Sequence, residues 1–179
     1  MPADLARLYD DHARALFALA LNLTRRDADA RDVLQEVFRR LAARPELLDG
    51  VENPRAFLLR LAHNQSIDLL RRRNTREKSD TASTGEPSTG HPFAASERAD
   101  EEGFRRALAA ALVELPPEQR AVVHLKLWEE ATFEEIAGIL DISPNTAASR
   151  YRYAIDKLRG RLRPLYNEIK DLWTTSNNS

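Results

Sequence analysis

The chain has 179 residues, a formal net charge of −1, 42% hydrophobic residues and 31% charged residues. This length allows one medium-sized domain or two small ones, and no apolar run approaches the roughly 20 residues of a membrane span. The N-terminus, MPADLARLYDDHARALF, lacks the basic-then-apolar order of a signal peptide, and the absence of cysteine excludes disulfides and thiolate zinc sites. These features predict a cytoplasmic protein without membrane insertion. The abundance of alanine, leucine, arginine and glutamate predicts an all-α fold.

The N-terminal half is predicted to form three or four helices. Apolar residues recur at three- and four-residue steps from Leu5 to Leu23, and again around Val33, Val37 and Leu41. Proline and glycine in ARPELLDGVENP break this pattern, which resumes in RAFLLRLAHNQSIDLLRRR. No segment shows the alternation of a strand, so this half is expected to be a small helical bundle.

Residues Ser79–Glu102 have the composition of a linker. They are rich in Ser, Thr, Pro and Gly and carry six acidic residues and one basic residue, which predicts a flexible, disordered connection. We therefore expect two independently packed halves. The expected division is a first domain at 1–78, the linker at 79–102, a second domain at 103–165 and a tail at 166–179.

The C-terminal half is predicted to contain a helix-turn-helix. FRRALAAALVEL and EQRAVVHLKLWEE are separated by two prolines, and TFEEIAGIL forms a short third helix. Thr132 and Glu135 have the spacing of a capping box. Ser143 is a suitable N-cap for the last helix, and Pro144 suits its first position. A short helix, the DIS turn and a second capped helix are typical of DNA-binding helix-turn-helix proteins.

The last helix is strongly basic. From Arg150 to Arg163 it carries six basic residues and one acidic residue, whereas a merely solvated helix usually mixes the two signs. Its apolar stripe includes Ala147, Tyr151 and Leu158, so Tyr151 is expected in the core. The basic side chains on the other faces favour nucleic-acid binding, although a solvated surface helix remains an alternative.

Three stretches together resemble a known family. ADARDVLQEVFRRL resembles the polymerase-binding segment of extracytoplasmic-function (ECF) sigma factors of bacterial RNA polymerase, in the sigma-70 family. NPRAFLLRLAHNQSIDLLRRR resembles the segment that melts and reads the −10 element, and LPPEQRAVVHLKLWEEATFEEIAGILDISPNTAASRYRYAIDKLR resembles the domain that reads the −35 element. The resemblance covers about residues 4–75 and 103–165. It implies sigma domain 2 and sigma domain 4 joined by a linker, and a subunit that directs promoter-specific initiation.

The resemblance also implies functional residues. The polymerase-binding set is Asp32, Gln35, Glu36, Phe38 and Arg39. The −10 DNA-binding set comprises Asn53 in the loop before the helix, Arg60, Asn64, and the run Arg71, Arg72 and Arg73. The −35 set is Asn145, Thr146, Ala148, Ser149, Arg150, Arg152, Tyr153 and Lys157. Asn145 and Ala148 depart from the residues that relatives often carry, so the −35 sequence is expected to be atypical.

The resemblance implies core RNA polymerase, promoter DNA and an anti-sigma factor as partners. The histidines at positions 12, 63, 91 and 124 are isolated in the sequence, and no HExxH, phosphate loop or Gly-x-Ser-x-Gly motif occurs. We therefore expect no enzyme activity, no metal site and no cofactor. Two other functions stay open: a helix-turn-helix regulator that never binds polymerase, and an interaction protein that binds another sigma or anti-sigma factor without reading promoters.

Overall fold

The structure is a computed structural model that describes the backbone of residues 5–79 and 99–176 and the side chains of residues 5–75 and 103–164. The described chain is helical without strands, which confirms the all-α prediction. The α-helices are α1 (Leu5–Thr24), α2 (Asp27–Ala43), α3 (Pro54–Ser79), α4 (Ala99–Val113), α5 (Pro117–Leu127), α6 (Phe133–Leu140) and α7 (Pro144–Ser176), with a 3-10 helix at Pro45–Leu48 between α2 and α3.

Helices α1, α2 and α3 pack around one apolar centre. Leu19, Val37 and Leu58 supply one fully buried side chain from each helix. Burial of a leucine or valine side chain contributes about 1.5–3 kcal/mol each. Two buried hydroxyls are satisfied inside their own helices, because Thr24 donates to the Ala20 carbonyl at 2.8 Å and Ser66 to the Ala62 carbonyl at 2.7 Å. The amphipathic stripes of the sequence are therefore the core of this half.

Helices α4 to α7 form the C-terminal half, and its caps are those that the sequence predicts. The Thr132 hydroxyl accepts the Glu135 amide at 3.2 Å while the Glu135 carboxylate accepts the Thr132 amide at 2.7 Å. Ser143 accepts the Thr146 amide at 3.1 Å and so begins α7. Between these helices, Asp141 adopts a left-handed conformation with φ 55°, which ends α6 and turns the chain sharply. The helix-turn-helix is therefore present.

Two boundaries differ from the expected ones. Helix α4 begins at Ala99, so residues 99–102, predicted to belong to the disordered linker, are helical. The sequence at 100–102 is Asp-Glu-Glu, and negative charge near a helix N-terminus is stabilising. Helix α7 continues to Ser176 with Pro164 inside it. The remainder of the predicted linker, 80–98, and the side chains of the predicted tail lie outside the described residues.

The two halves share one core, contrary to the predicted independent packing. Helix α5 packs against α1, and α6 packs against α3. Val122 and Leu125 of α5 and Ile136 of α6 are fully buried in the same cluster as Leu19 and Leu58. The physical reason is that α5 is apolar on two sides, with Val123 in a separate cluster against α4 and α7.

Candidate polymerase and nucleic-acid interfaces

Helix α2 presents a polar outer face that contains the predicted polymerase-binding residues. Asp32, Gln35 and Arg39 are exposed, whereas Glu36 and Phe38 are half-buried. The Glu36 carboxylate accepts two hydrogen bonds from the Arg39 guanidinium, at 2.7 and 2.8 Å. Hydrogen bonding to Arg39 lowers the pKa of Glu36, so the pair presents fixed charges at neutral pH. The five predicted residues thus lie together on one helix.

Sequence reasoning missed an aromatic residue beside this face. Tyr9 of α1 packs edge-on against Phe38, with ring centroids 5.0 Å apart, and 47% of Tyr9 stays exposed. An exposed tyrosine beside a half-buried phenylalanine suits contact with another protein, because its ring is apolar while its hydroxyl can hydrogen-bond with water. In the sequence, the exposure of Tyr9 was indicated only by its position outside the apolar stripe of the first helix.

Helix α3 aligns three of the predicted −10 residues. Arg60, Asn64 and Arg71 are exposed, and their spacing places them along one side of the helix. The Arg60 guanidinium lies 5.5 Å from the centre of the Phe57 ring, a cation–π contact that holds it near the helix start. The Asn64 side-chain oxygen lies 3.2 Å from Nδ1 of His63. This side of α3 therefore offers an amide flanked by two cations.

The other predicted −10 residues lie elsewhere. Arg72 is exposed. Arg73 is directed towards α2, where its guanidinium lies 3.8 Å from the Asp29 carboxylate. The Asn53 side-chain oxygen accepts the Ala56 amide at 3.0 Å and so caps α3. Arg73 therefore contacts a neighbouring helix, and Asn53 caps its own helix.

The recognition helix α7 exposes one polar side near its start. Asn145, Arg152, Tyr153 and Lys157 are exposed, and the Arg152 guanidinium lies 5.4 Å from the centre of the Tyr153 ring. The remaining predicted −35 residues are half-buried: Thr146, Ala148, Ser149 and Arg150. Tyr151 lies on the opposite, apolar side against Phe133, with ring centroids 5.8 Å apart, as predicted. Asn145, Ser149 and Arg152 follow one line along the helix, the spacing needed to reach successive base edges.

Helices α3 and α7, which carry most of the predicted −10 and −35 residues, approach each other where the halves meet. His63 of α3 is half-buried, and burial lowers its pKa. Its hydrogen bond to Asn64 and the charge of Glu118 on α5 oppose this shift, whereas the charges of Arg150 on α7 and Arg71 on α3 add to it. Burial therefore favours a neutral His63.

We expect the folded chain to lose stability as the pH falls below about 6.5, the ordinary pKa of histidine. Because burial depresses the pKa of His63 in the folded chain, its stabilising effect is present above 6.5 and is lost as the pH falls through the lowered value. The free energy of unfolding, measured with urea, should fall between pH 7.5 and pH 5.5, and the fall should be smaller in His63→Gln. The control is His12→Gln, on α1. An equal fall in both variants would contradict this assignment.

No group of three or more His, Asp or Glu in the described ranges could hold a metal ion, and no helix there is long and apolar enough to cross a bilayer. A cavity of about 430 Å³ lies between α4 and α7, lined by Ala111, Glu114, Leu115, Asp156, Lys157, Gly160 and Arg161. A carboxylate–guanidinium pair in its lining, Glu114 with Arg161, joins the residue directly after α4 to α7.

Comparison with known proteins identifies both halves. Residues 8–76 match the family model "Sigma-70 region 2" and residues 111–160 match "Sigma-70, region 4". The chain is 36% identical over 162 residues to the ECF RNA polymerase sigma factor SigL of Mycobacterium tuberculosis, with 88% of each chain covered. It is 31% identical over 149 residues to the RNA polymerase sigma-E factor of Streptomyces coelicolor, covering 83% of this chain and 80% of that one.

A solved structure has the same fold. The sigma factor RpoE of Bartonella quintana, crystallised with the anti-sigma factor NepR, matches with a TM-score of 0.71 at 22% identity, over 89% of this chain and 94% of that one. Sigma factors are not catalytic enzymes. The polymerase-binding, promoter-directing function expected from the sequence is therefore confirmed, and a regulator that does not bind polymerase is not favoured. The chain belongs to the ECF sigma factors of the sigma-70 family.

Proposed function

We propose that three surfaces of this sigma factor have separate roles in transcription initiation. The outer face of α2, with Asp32, Gln35, Glu36, Phe38 and Arg39, binds core RNA polymerase. The aligned side of α3, centred on Asn64, captures bases of the −10 element. The exposed side of α7 reads the −35 element. The complex forms in the cytoplasm, and a protein anti-sigma factor inhibits it, as the partner of the structurally similar RpoE suggests.

The proposal rests on side chains that are exposed, that have the chemistry to bind the partner, and that lie outside the packed core. Gln35 and Asp32 are exposed, and their helix buries Val33, Val37 and Leu41 on its other side. Asn64 combines two donors and an acceptor, which suits the edge of an unpaired base. Capturing an unstacked base costs a few kcal/mol, which pockets and stacking contacts offset.

On α3, Arg60, Arg71 and Arg72 supply positive charge beside Asn64. Such side chains neutralise phosphates and fix the position of the strand without carrying sequence information. Arg73 and Asn53 take part less directly, because Arg73 faces Asp29 and Asn53 caps its helix. On α7, Arg152 and Asn145 are the strongest candidates for base contacts, since both are exposed on the same side. Arg150 reaches a phosphate.

The double variant Gln35→Ala with Glu36→Ala should bind core polymerase at least tenfold more weakly, because the loss of one hydrogen bond to a charged group costs about 1.5–3 kcal/mol. Its helicity and its midpoint of unfolding should match the parent, since both side chains lie outside the core. The measurement is the affinity of labelled protein for purified core enzyme. The matched control is Glu134→Ala, an exposed glutamate of α6. Unfolding of the double variant would show that the two residues are structural.

A further inference from the structure

Two arginines with buried, unpartnered N–H groups face each other between α1 and α5. Arg120, near the start of α5, is 5% exposed, and its Nε and Nη1 atoms have no hydrogen-bond partner within the described chain. Arg25 directly follows α1 and is half-buried, and its buried Nε atom also lacks a partner there. Buried polar groups are nearly always hydrogen-bonded, so these donors are suited to bind an acceptor that is not part of the described chain.

The packing of α1 against α5 brings the two side chains together. Nδ1 of His124 on α5 lies 3.1 Å from the side-chain nitrogen of Asn22 on α1. On α5, Arg120 precedes His124 by four residues, or one helical turn. Arg25 follows Asn22 by three residues, so the faces that meet here also bring Arg25 to Arg120. The Arg25 amide donates to the Leu21 carbonyl at 2.8 Å with φ 63°, which ends α1 and fixes the position of Arg25.

The two guanidiniums are close enough to repel each other. Burial, followed by the charge of Arg25, lowers the pKa of Arg120 to about 10, and the charge of Glu118 opposes the shift. A side chain with this pKa is still protonated at neutral pH. Glu118 is exposed, so solvent screens its charge. Water molecules can accept hydrogen bonds from the N–H groups, but only an anion also neutralises two like charges that are held together.

Glu129, which follows α5, is a buried carboxylate that is already paired with other side chains. It accepts a hydrogen bond from the Arg55 guanidinium at 2.5 Å, and its other oxygen lies 3.5 Å from Nε2 of His124. No carboxylate in the part of the chain that the structure describes accepts from the unpaired nitrogens of Arg25 and Arg120. An anion that neutralises these two arginines must therefore come from outside the described residues.

The donors and their burial define the class of ligand. Guanidinium groups form short, charge-assisted hydrogen bonds with phosphate and related oxyanions. The Arg120 side chain leans towards the first turn of α5. This helix begins without a side-chain cap, and its positive end favours the same anions. A phosphate of duplex DNA cannot reach a guanidinium as deeply buried as that of Arg120, so the ligand is small.

We propose that Arg25 and Arg120 form a binding site for a small tetrahedral oxyanion of the phosphate class. The anion accepts hydrogen bonds from both guanidiniums and neutralises their charges. Neither arginine belongs to the surfaces assigned to polymerase and promoter DNA. The inference therefore does not rest on the proposed function, and failure of the polymerase-binding test would leave it unaffected.

The test follows the Nε–Hε signals of the arginine side chains by NMR in the isotope-labelled full-length chain. Inorganic phosphate is titrated against sodium chloride of equal ionic strength. Two signals, assigned to Arg25 and Arg120 by their loss in Arg25→Met and Arg120→Met, should shift and saturate in the parent with a Kd of about 1 mM or tighter. Each variant should raise the Kd about tenfold or more, because one charge-assisted contact is lost.

A parallel titration with adenosine monophosphate distinguishes the two sources of a phosphate group. Tighter binding than that of inorganic phosphate would assign the site to a phosphate ester, and weaker binding would assign it to the free ion. Both results require that the signals of Arg25 and Arg120 shift together and saturate.

The matched control is Arg14→Met, which removes the same charge from an exposed position on α1 and should keep the parental Kd. Arg120→Met should fold, since it replaces an unpaired buried charge by an apolar side chain, and circular dichroism verifies this. Arg25→Met, at the less buried position, is an independent test. Shifts that do not saturate, or equal weakening in Arg14→Met, would overturn the site. Binding no tighter than that of chloride would identify an adventitious ion only and would overturn it as well.

Discussion

Ile136→Ala is expected to lower the free energy of unfolding by about 2–5 kcal/mol. Ile136 is fully buried in α6, within the cluster that also contains residues of α1 and α3. Truncation leaves a cavity beside the helix-turn-helix, where the capped ends of α6 and α7 restrict relaxation. For a domain whose total stability is about 5–15 kcal/mol, this loss is large.

Urea unfolding followed by circular dichroism measures this loss. Leu127→Ala is the matched control, because Leu127 is also aliphatic but 49% exposed, and it should change the stability by no more than about 0.5 kcal/mol. If the core spans both halves, Ile136→Ala should also weaken the contact between them. Similar losses in the two variants would show that α6 is not buried as the structure has it.

Arg152→Ala is expected to reduce base discrimination at particular −35 positions by about 1–3 kcal/mol, the worth of a good bidentate base contact. Asn145→Ala should act in the same way at other positions, because both side chains are exposed on the same side of α7. Arg159→Ala should instead weaken binding about equally on all sequences and reduce the salt slope by about one unit per lost phosphate contact.

Selection from a randomised promoter library, with salt titration of binding, separates these effects. The structure refines the choice of controls. Arg161 is paired with Glu114, directly after α4, whereas the Arg159 guanidinium lies 3.7 Å from Asp156 within α7. Arg161→Ala should therefore act on the packing of α4 against α7. If the Arg152 and Asn145 variants keep the parental preference, base reading does not occur on this side of α7.

The features predicted correctly from the sequence are those set by neighbouring residues. The Thr132 and Ser143 caps each depend on a residue three positions along the chain, and the buried positions of α1 and α2 follow the helical repeat. The family resemblance supplied the functional sets, and the structure places Gln35, Asn64 and Arg152 on exposed surfaces. Their roles stay predictions until the binding experiments are done.

The features that could not be predicted depend on contacts between distant parts of the chain. Arg55 and Glu129 are 74 residues apart, and Asn22 and His124 are 102 apart. No periodicity links such residues, so His124 looked isolated in the sequence although it lies between two polar partners. The apolar side of α5 that packs against α1 could not be predicted for the same reason. Arg73 belongs to a basic run, and only the position of Asp29 shows that it faces inward.

The most direct test of the account is run-off transcription with purified core RNA polymerase and a pool of genomic fragments. The account predicts transcripts with discrete 5′ ends from a limited set of fragments, strongly reduced transcription by the Gln35→Ala, Glu36→Ala variant, and altered fragment choice by Arg152→Ala. Fragment-specific DNA binding by the parent without any transcript would contradict it.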